Sequence, residues 1–503
     1  MHLDTTHDLQ RIIRQYRVRK IAYYDRFSGL VAMPSWSDPK KATPHASISR
    51  LLAWAATSSP ESRARVIYIT GGATAGDRPG YDPKDDTAID RYWSEPVGHG
   101  WTVTSWRRDP WHVAYERDGV KIDVAIGSSW FGDEHNAMKC MRAWTLLSAM
   151  LRHTFDEHAV LMGSPGRTGA DLLQRSLPEG ATYPRMRDDI RDILVKNFSQ
   201  GRMEQPGTYE SQQIDGRCPA VCVLDARWMY AASLRHLPTG PVEWERKGPT
   251  FHGFRRGIYH IQTRVPDDWS HIGLAPTWSA SEGRTVWPRT PGSFVASSWL
   301  TGAELSVLYE NAWPVNILES IVYAPEDAPG HDPARLWIDR MIELRRWAEL
   351  NNNDLALYAI RHMIIDTVGY WHRAMRPEMR WLPYEGLGAG HAIPDNALMV
   401  LPLKEGVRYS VPAPLDPATD PMYRPEWSVQ VWGSSRAKLN KMALSFDAKR
   451  LLWLRHDSVV LDYDPHLPDN GKIGQWRVKR SYDASCDPPL TEAAYRELMK
   501  GAD

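Results

Sequence analysis

Two aspartates stand where apolar strands are predicted to end, and their side chains could bind a metal. Asp225 follows the apolar run Cys222-Val223-Leu224, and Asp457 follows the apolar run at 451–454, near a predicted turn. Paired carboxylates on adjacent strands can hold Mg²⁺ ions about 3.5–4 Å apart for in-line phosphoryl transfer. Asp225 has an alternative role, because aspartate at a strand-to-helix junction often caps the helix. Spacing alone does not show that the two carboxylates meet.

The hydrophobic pattern predicts the elements that must position these two residues. The predicted helices are 48–56, 137–155, 332–354, 355–371 and 427–446. The predicted strands are 65–70, 222–224 and 255–266, and the predicted hairpins are 112–126, turning at Asp118-Gly119, and 450–464. Helix and strand patterns alternate over the first 200 residues, which indicates an α/β domain.

Composition excludes several classes of protein. The 503 residues carry 61 basic and 61 acidic side chains, so any nucleic-acid-binding surface must be local, as at 11–20 or 477–480. Four cysteines are too few for a disulfide framework, and the C-x3-C pair lacks a second ligand pair for zinc. We find no signal peptide and no apolar run of membrane-spanning length, which predicts a cytoplasmic protein without a membrane partner.

A glycine-rich stretch at 163–169 is predicted to be an ordinary loop. It lacks the Gly-Lys-Ser/Thr ending through which a P-loop binds phosphates and Mg²⁺. A phosphate-binding loop of that kind is therefore not expected here.

Five short segments between about residues 210 and 482 resemble family B DNA polymerases, especially the compact protein-primed phage type. They are LDARWMYAASL at 224–234, TGAEL at 301–305, RHMIIDTVG at 361–369, RPEWSVQVWGSSRAKL at 424–439 and WLRHDSV at 453–459. The first resembles the family's strand-ending Asp motif, the third its fingers helix, and the fifth its Y-x-D-T-D-S motif. Each segment is weak alone, but together they follow the family's order. That order favours a metal-binding role for Asp225 over a helix cap.

The resemblance implies roles for individual residues. Asp225 and Asp457 match ligands of two Mg²⁺ or Mn²⁺ ions, and Tyr230 matches the tyrosine beneath the incoming sugar. Arg361 matches the lysine that grips the triphosphate. The residues expected to help Arg361 are Arg345 and Arg346, and those implied to hold DNA are Arg436, Arg477, Lys479 and Arg480.

Several positions depart from the family pattern. Arg455 and His456 replace the Asp and Thr that precede the second Asp of D-T-D-S, and Asp366 places an acid near the expected triphosphate. The chain contains no D-x-E pair, which a 3′–5′ exonuclease needs for its own metals, so the N-terminal domain is expected to lack nuclease activity. Only residues 481–503 follow the last basic segment, so the thumb is expected to be reduced or absent.

The resemblance implies an α+β fold with a right-hand palm and fingers. The implied domains are 1–200, an exonuclease-like α/β domain; 201–330, the first part of the palm; 331–375, the helical hairpin of the fingers; 376–485, the second part of the palm; and 486–503, a short C-terminal helix.

The implied function is a DNA-directed DNA polymerase that transfers dNTPs onto a 3′-hydroxyl with two metal ions. Its implied partners are primer-template or single-stranded DNA, dNTPs, and a protein that replaces the thumb or acts as primer. The departures leave two alternatives open. One is a polymerase-derived nucleic-acid-binding or scaffold protein, and the other is limited nucleotidyl transfer, either protein-primed or untemplated.

Overall fold

A computed structural model describes most of the chain. The described residues are 21–34, 38–44, 46–57, 63–71, 100–107, 112–179, 183, 186–198, 201–210, 217–253, 256–324, 332–373, 375–384, 393–394, 397, 399–403, 406–414, 422–482, 488–489, 491 and 494–495. The basic run at 11–20 and most of the predicted C-terminal helix at 486–503 lie outside them.

Each helix, strand and hairpin predicted for residues 48–464 from the hydrophobic pattern is present, and the structure adds further elements. The helices are α1 (Ile48–Ala56), α2 (Ser128–Phe131), α3 (Ala137–Thr154), α4 (Pro165–Ser176), α5 (Asp188–Asn197), α6 (Met229–Ser233), α7 (Gly302–Glu310), α8 (Arg335–Leu350), α9 (Asp354–His372) and α10 (Pro425–Leu444). The strands are β1 (Ile21–Asp25), β2 (Leu30–Ala32), β3 (Lys40–Lys41), β4 (Val66–Thr70), β5 (Thr102–Arg107), β6 (His112–Arg117), β7 (Val120–Ile126), β8 (Met203–Glu204), β9 (Val221–Ala226), β10 (Val242–Glu245), β11 (Gly257–Arg264), β12 (Thr277–Ser279), β13 (Arg284–Val286), β14 (Phe294–Thr301), β15 (Val315–Tyr323), β16 (Met375–Pro383), β17 (Met399–Leu403), β18 (Gly406–Pro414), β19 (Leu451–Arg455), β20 (Ser458–Leu461) and β21 (Trp476–Tyr482).

The chain forms two compact units, each built from two stretches of sequence. The first unit contains residues 1–176 and 339–423, and the second contains 177–338 and 424–503. Residues 376–423, assigned to the palm by sequence resemblance, are thus grouped with the first unit. Within them, β16, β18 and β17 form a separate antiparallel three-stranded sheet.

A seven-stranded sheet forms the core of the first unit, in the order β3-β2-β1-β4-β7-β6-β5. Strands β1, β4 and β7 are parallel, and the other neighbours are antiparallel. The predicted hairpin forms, and its turn residues Asp118 and Gly119 have φ of 51° and 73°. Helix α3 packs on β1 and β2, and its Trp144 ring lies 5.0 Å from those of Tyr68 and Trp130. The fold is therefore mixed α/β, as predicted.

Helices α4 and α9 of the first unit approach each other closely because glycines on α4 leave space. A Cβ added at Gly166 would lie 2.6 Å from the carbonyl oxygen of Asp366, and one at Gly169 would lie 2.2 Å from that of Met363. The prediction of a loop at 163–169 is wrong, because a helix begins at Pro165. Proline is tolerated there, since the first helical turn leaves its backbone N–H groups unbonded.

The second unit contains two larger sheets and a buried helix. One sheet has the order β10-β15-β11-β14, and the other has the order β21-β9-β20-β19-β8. Helix α10 contacts both sheets and is buried on nearly all sides, which makes it the central helix of this unit. Both predicted aspartates lie on the five-stranded sheet.

The two faces of the five-stranded sheet have different surroundings. Cys222 and Leu224 of β9 pack on the face that α10 covers, together with Val459 and Ala437. Val223 packs on the opposite face. Because side chains alternate along a strand, Asp225 shares the face of Val223 and points away from α10.

Candidate active site

One row of residues crosses the face of the five-stranded sheet that α10 does not cover, which we call the open face. The strand registers place Arg477 opposite Asp225, Asp225 opposite Ser458, Ser458 opposite Arg455, and Arg455 opposite Met203. Residues directly opposite each other on neighbouring strands present their side chains on the same face. We call these five residues the carboxylate row.

The structure places Asp225 on β9 and Asp457 in the turn that leads into the neighbouring strand β20. The Ala226 amide donates to the Asp457 carbonyl at 3.0 Å, and Ser458 lies directly opposite Asp225. The Ser458 hydroxyl also donates to Asp457 Oδ1 at 3.3 Å. Asp457 therefore stands in the two-residue turn beside the row, with its carboxylate near the serine that faces Asp225.

Left-handed backbone occurs beside both aspartates. Trp228 has φ of 51° and His456 has φ of 46°, a region that bulky residues rarely adopt. The His456 ring lies so close to Gly201 that an added Cβ would be 1.8 Å from its Nδ1. Such outliers cost free energy and cluster at functional sites.

Asp225 does not cap the helix that follows it. Helix α6 begins at Met229, and its N-cap residue is Trp228, whose side chain makes no capping hydrogen bond. Asp225 lies within β9 and is 6% exposed. The helix-cap alternative raised from the sequence is therefore wrong.

Arg477 lies between two carboxylates on the open face. Its Nη2 is 3.5 Å from Asp225 Oδ2, and its Nη1 is 3.8 Å from Asp469 Oδ2. Asp469 also binds Arg227 Nη2 at 2.6 Å and accepts the Gly471 amide at 2.9 Å. The Gly471 amide and the Arg227 guanidinium hold the pKa of Asp469 below its ordinary value. Asp469 is thus an anion at neutral pH, held against the residue that follows β9.

A β-bulge arranges the basic residues of β21. Arg477 lies opposite Asp225 and Arg480 lies opposite Val223, with the irregularity between Val478 and Arg480. The extra residue, Lys479, lets two arginines three positions apart face the same side of the sheet. Arg477 and Arg480 therefore share the open face with Asp225.

Arg455, which replaces an aspartate of the family motif, extends toward the far edge of the row. Its guanidinium stacks 4.3 Å from the centre of the Tyr495 ring, and its Nη2 lies 3.6 Å from Met203 Sδ. Cation–π stacking of this kind stabilises a guanidinium at a partly desolvated site. The structure thus accounts for the positive charge at position 455.

Arg436, implied to hold DNA, lies in the interior on the helix-covered side. Its Nε donates to Glu304 Oε1 at 2.6 Å, and both side chains are at most 5% exposed. Glu304 also accepts hydrogen bonds from the Thr301 amide and hydroxyl at 3.0 and 2.9 Å. Two of the five sequence segments, TGAEL and the α10 segment, are joined by this ion pair.

A second buried guanidinium completes this group. Arg202 is fully buried, donates to Asn440 Oδ1 at 2.6 Å, and donates through Nε to Glu204 at 3.0 Å. Burial lowers the pKa of Arg202. We call Arg202, Glu204, Glu304, Arg436 and Asn440 the interior charge network.

Tyr230 lies in α6, the short helix that follows β9 and contacts α10. It is 8% exposed in α6, and this helix is joined to α10 by Ser233 and Ser435, whose hydroxyls are 3.2 Å apart. The implied role of Tyr230 beneath a sugar stays a prediction.

The residues expected to bind triphosphate belong to the first unit. Arg361 and Arg346 are exposed on α9 and α8. Arg345 Nη2 lies 2.7 Å from Glu349 on its own helix, and Asp366 lies 3.5 Å from His362. Their roles at a nucleotide stay predictions.

The oxygen ligands on the open face suit a magnesium ion. Mg²⁺ is commonly held by one or two carboxylates, with substrate phosphates and water completing its coordination. Asp225 and the neighbouring Asp457 supply such a pair. Within the described parts of the chain there is no group of three or more His, Cys, Asp or Glu residues that could hold a metal. A metal held by these two carboxylates would take its remaining ligands from water or from a substrate.

Asp469 and Arg227 were not identified from the sequence as parts of this site. Pro468-Asp469-Asn470-Gly471 reads only as a turn. Arg227 follows Asp225 by two positions, but nothing in the pattern pairs it with a residue more than 200 positions later. The tertiary structure alone reveals this contact.

Among the described helices, none has the length and apolarity that crossing a membrane requires.

No protein-family profile matches the sequence, and no curated protein matches it.

Solved structures of phi29 DNA polymerase are similar to this chain. The complex with primer-template DNA and the ternary complex with primer-template DNA and incoming nucleotides each match with a TM-score of 0.55 and 12% identity. They cover 87% of this chain and 78% and 79% of theirs. The complex with single-stranded DNA matches with a TM-score of 0.53, 12% identity and the same 87% and 78% coverage. The chain therefore has a fold distantly similar to that of phi29 DNA polymerase, as the order of its motifs predicted.

Proposed function

We propose that this protein is a DNA-directed DNA polymerase that joins deoxynucleotides to a 3′-hydroxyl. The observation that carries the proposal is the pairing of β9 with β20, which sets Asp225 beside the turn that holds Asp457. Two neighbouring carboxylates supply the oxygen ligands that two-metal nucleotidyl transfer uses. The distant polymerase-like fold supports the same conclusion.

Asp225 and Asp457 would hold two Mg²⁺ or Mn²⁺ ions. When bound, these ions lower the pKa of the primer 3′-hydroxyl and neutralise charge on the leaving pyrophosphate. The 3′-hydroxyl would lose its proton to solvent, and its oxygen would form a bond to the α-phosphorus while the bond from that phosphorus to the leaving pyrophosphate breaks. The two carboxylates orient this in-line displacement, and the Ser458 hydroxyl holds the Asp457 carboxylate at 3.3 Å.

The remaining functional residues would bind substrates. Arg361, with Arg345 and Arg346, would bind the triphosphate. Arg345 would have to exchange its contact with Glu349 for this role. Arg477, Lys479 and Arg480 would bind phosphates of primer-template or single-stranded DNA. Contacts of this kind position DNA without reading its sequence.

A second candidate function is favoured by one specific contact. The Arg477 guanidinium lies 3.5 Å from Asp225, where it competes with a cation for the carboxylate. A protein in which that ion pair persisted would bind DNA as a scaffold with little or no synthesis. Limited transfer, either protein-primed or untemplated, lies between the two functions. A protein that replaces the thumb or supplies the primer hydroxyl would then be a partner.

Primer extension by the purified chain, with Mg²⁺ or Mn²⁺ and all four dNTPs, tests the proposal. We expect Asp225→Asn and Asp457→Asn each to reduce extension by more than about 100-fold. Loss of an outer-shell partner alone costs 10–100-fold in metal-site function, and a direct ligand should cost more. DNA affinity, measured by fluorescence anisotropy, should change little.

Asp464→Asn is the matched control for both variants. Asp464 accepts the His466 amide at 2.7 Å within its own loop, so removing its charge should leave extension at the wild-type rate. Failure of the wild type to extend any primer with either metal, while it still binds DNA, would favour the scaffold function. Extension that survives both aspartate substitutions would place the chemistry elsewhere.

A further inference from the structure

The loop between β20 and β21 contacts the carboxylate row at a point not explained by the proposed function. Asp469 lies 2.6 Å from Arg227, which follows the strand that carries Asp225. The Arg227 amide donates to the Gln475 carbonyl at 2.9 Å, and Lys438 of α10 donates to the Gly474 carbonyl. Asp469 is therefore held by its own contact with Arg227, and the end of its loop is held by backbone contacts of Gly474 and Gln475.

Arg477 is shared between the loop and the row. Its two terminal nitrogens point to different carboxylates, one to Asp225 at 3.5 Å and one to Asp469 at 3.8 Å. Its side chain is 29% exposed, so it is not locked by packing. A guanidinium has fixed, diverging donors, and each donor can strengthen one contact as the other weakens.

The charges of this group cancel. Asp225 and Asp469 carry two negative charges, and Arg227 and Arg477 carry two positive charges. Without the Asp469 charge, the same group would have a net positive charge next to Asp225. A like charge at this distance opposes the binding of a divalent cation.

We propose that Asp469 is a positioning residue that draws Arg477 away from Asp225 and so keeps the Asp225 carboxylate available to a divalent cation. The inference rests on the proposed metal-binding role of Asp225. It assigns to the β20–β21 loop control over how strongly the candidate site binds metal. Arg477 is the movable element, and Asp469 is the acceptor that receives it.

Binding of Mn²⁺ alone to the full chain, measured by electron paramagnetic resonance of the free ion, tests this. The site is identified as the Mn²⁺ binding lost in Asp225→Asn. We expect Asp469→Asn to weaken that binding by about tenfold, at the lower end of the effect of outer-shell substitutions. Asparagine can still accept the Gly471 amide, so the turn is retained while the charge is lost.

Whether Asp469 acts on Mn²⁺ binding through Arg477 is tested in a protein that carries Arg477→Gln. Arg477→Gln should bind Mn²⁺ more tightly than the wild type, and adding Asp469→Asn to it should then have little further effect. Asp464→Asn, in the same loop, should bind as the wild type does. If Asp469→Asn weakens Mn²⁺ binding by the same factor in the wild type and in Arg477→Gln, the proposal is overturned, because the effect then does not depend on Arg477.

The other outcomes are also decisive. If Asp469→Asn unfolds, the tighter binding expected of Arg477→Gln still tests the inference, and its absence would overturn it. Wild-type binding that Asp225→Asn abolishes and Asp469→Asn leaves unchanged would overturn the inference alone. A wild-type protein that binds no Mn²⁺ through Asp225 would overturn the inference together with the proposed function.

Discussion

The two faces of the five-stranded sheet hold their charges in different ways. On the helix-covered face, the interior charge network makes short contacts between buried groups, such as the 2.6 Å bond from Arg436 to Glu304. On the open face, Arg477 is shared between Asp225 and Asp469 at 3.5 and 3.8 Å and remains partly exposed. Buried, saturated charges cannot be redirected to a ligand without a large cost. The carboxylate row can exchange its contacts at a smaller cost, as the proposed binding of a metal ion would require.

Two arginines with the same implied role lie in different surroundings. Arg436 and Arg480 were both implied to hold DNA. The structure places Arg480 on the open face, opposite Val223, and Arg436 in the interior beside Glu304. For Arg436, the contacts favour a role in holding α7 and α10 together.

The largest expected effect comes from breaking the interior charge network. Arg436→Met should lower the free energy of unfolding by about 3–5 kcal/mol, because it leaves Glu304 buried without its counter-ion. Chemical denaturation measures this change. Arg477→Gln, the matched change on the open face, should cost less than Arg436→Met, because the Arg477 side chain is 29% exposed and glutamine can still donate to Asp225. Replacing both partners, Arg436→Met with Glu304→Leu, should restore part of the loss.

A stable Arg436→Met protein that no longer binds DNA would contradict this assignment. It would return Arg436 to the DNA-binding residues, and the contrast between the two faces would fail. The double variant, Arg436→Met with Glu304→Leu, separates the two roles. A packing role predicts that it recovers part of the lost free energy of unfolding, and a DNA-contact role does not.

A smaller effect tests whether Tyr230 belongs to the proposed nucleotide site or to the packed interior. If its ring lies beneath the sugar of an incoming nucleotide, Tyr230→Ala should raise ribonucleotide incorporation relative to deoxynucleotide by about tenfold, since pocket contacts of one group discriminate by this order. Competitive single-nucleotide extension measures the ratio. Tyr230→Phe, which keeps the ring, should discriminate as the wild type does.

An unchanged ratio in a Tyr230→Ala protein that extends primers but unfolds more easily would assign Tyr230 to the interior. The observed burial of the side chain is compatible with either position, because a tyrosine ring can pack on one face and receive a ligand on the other. In that case α6 would belong with the interior residues, and the proposed nucleotide site would not include it.

The smallest expected effect concerns Arg480. Arg480→Gln should weaken DNA binding equally for different sequences and reduce the dependence of log K on log salt concentration by about 0.9 for duplex DNA, the slope for one phosphate contact. Fluorescence anisotropy across a salt series measures it. Stability should stay at the wild-type value. A salt dependence equal to that of the wild type would remove Arg480 from the DNA-binding surface.

Local features of this protein were predictable because short-range interactions control them. The Asp118-Gly119 hairpin forms because both turn residues take positive φ, which these residue types tolerate. The T-x-x-E pattern at Thr301 predicts a helix start, and the capping box is present there. The loop predicted at 163–169 failed because a starting helix can contain proline and glycine in its first turns.

The sequence by itself determined the strands, the helices and the order of the motifs, and from these the distant polymerase-like fold. The tertiary structure decided which face each charged residue occupies. A shift of one residue in register, or one bulge such as that at Lys479, moves a side chain to the other side of a sheet. It also decided the partners: Glu304 meets Arg436, and Asp469 meets Arg227 and Arg477. Such pairings depend on how distant segments pack, and no local pattern encodes them.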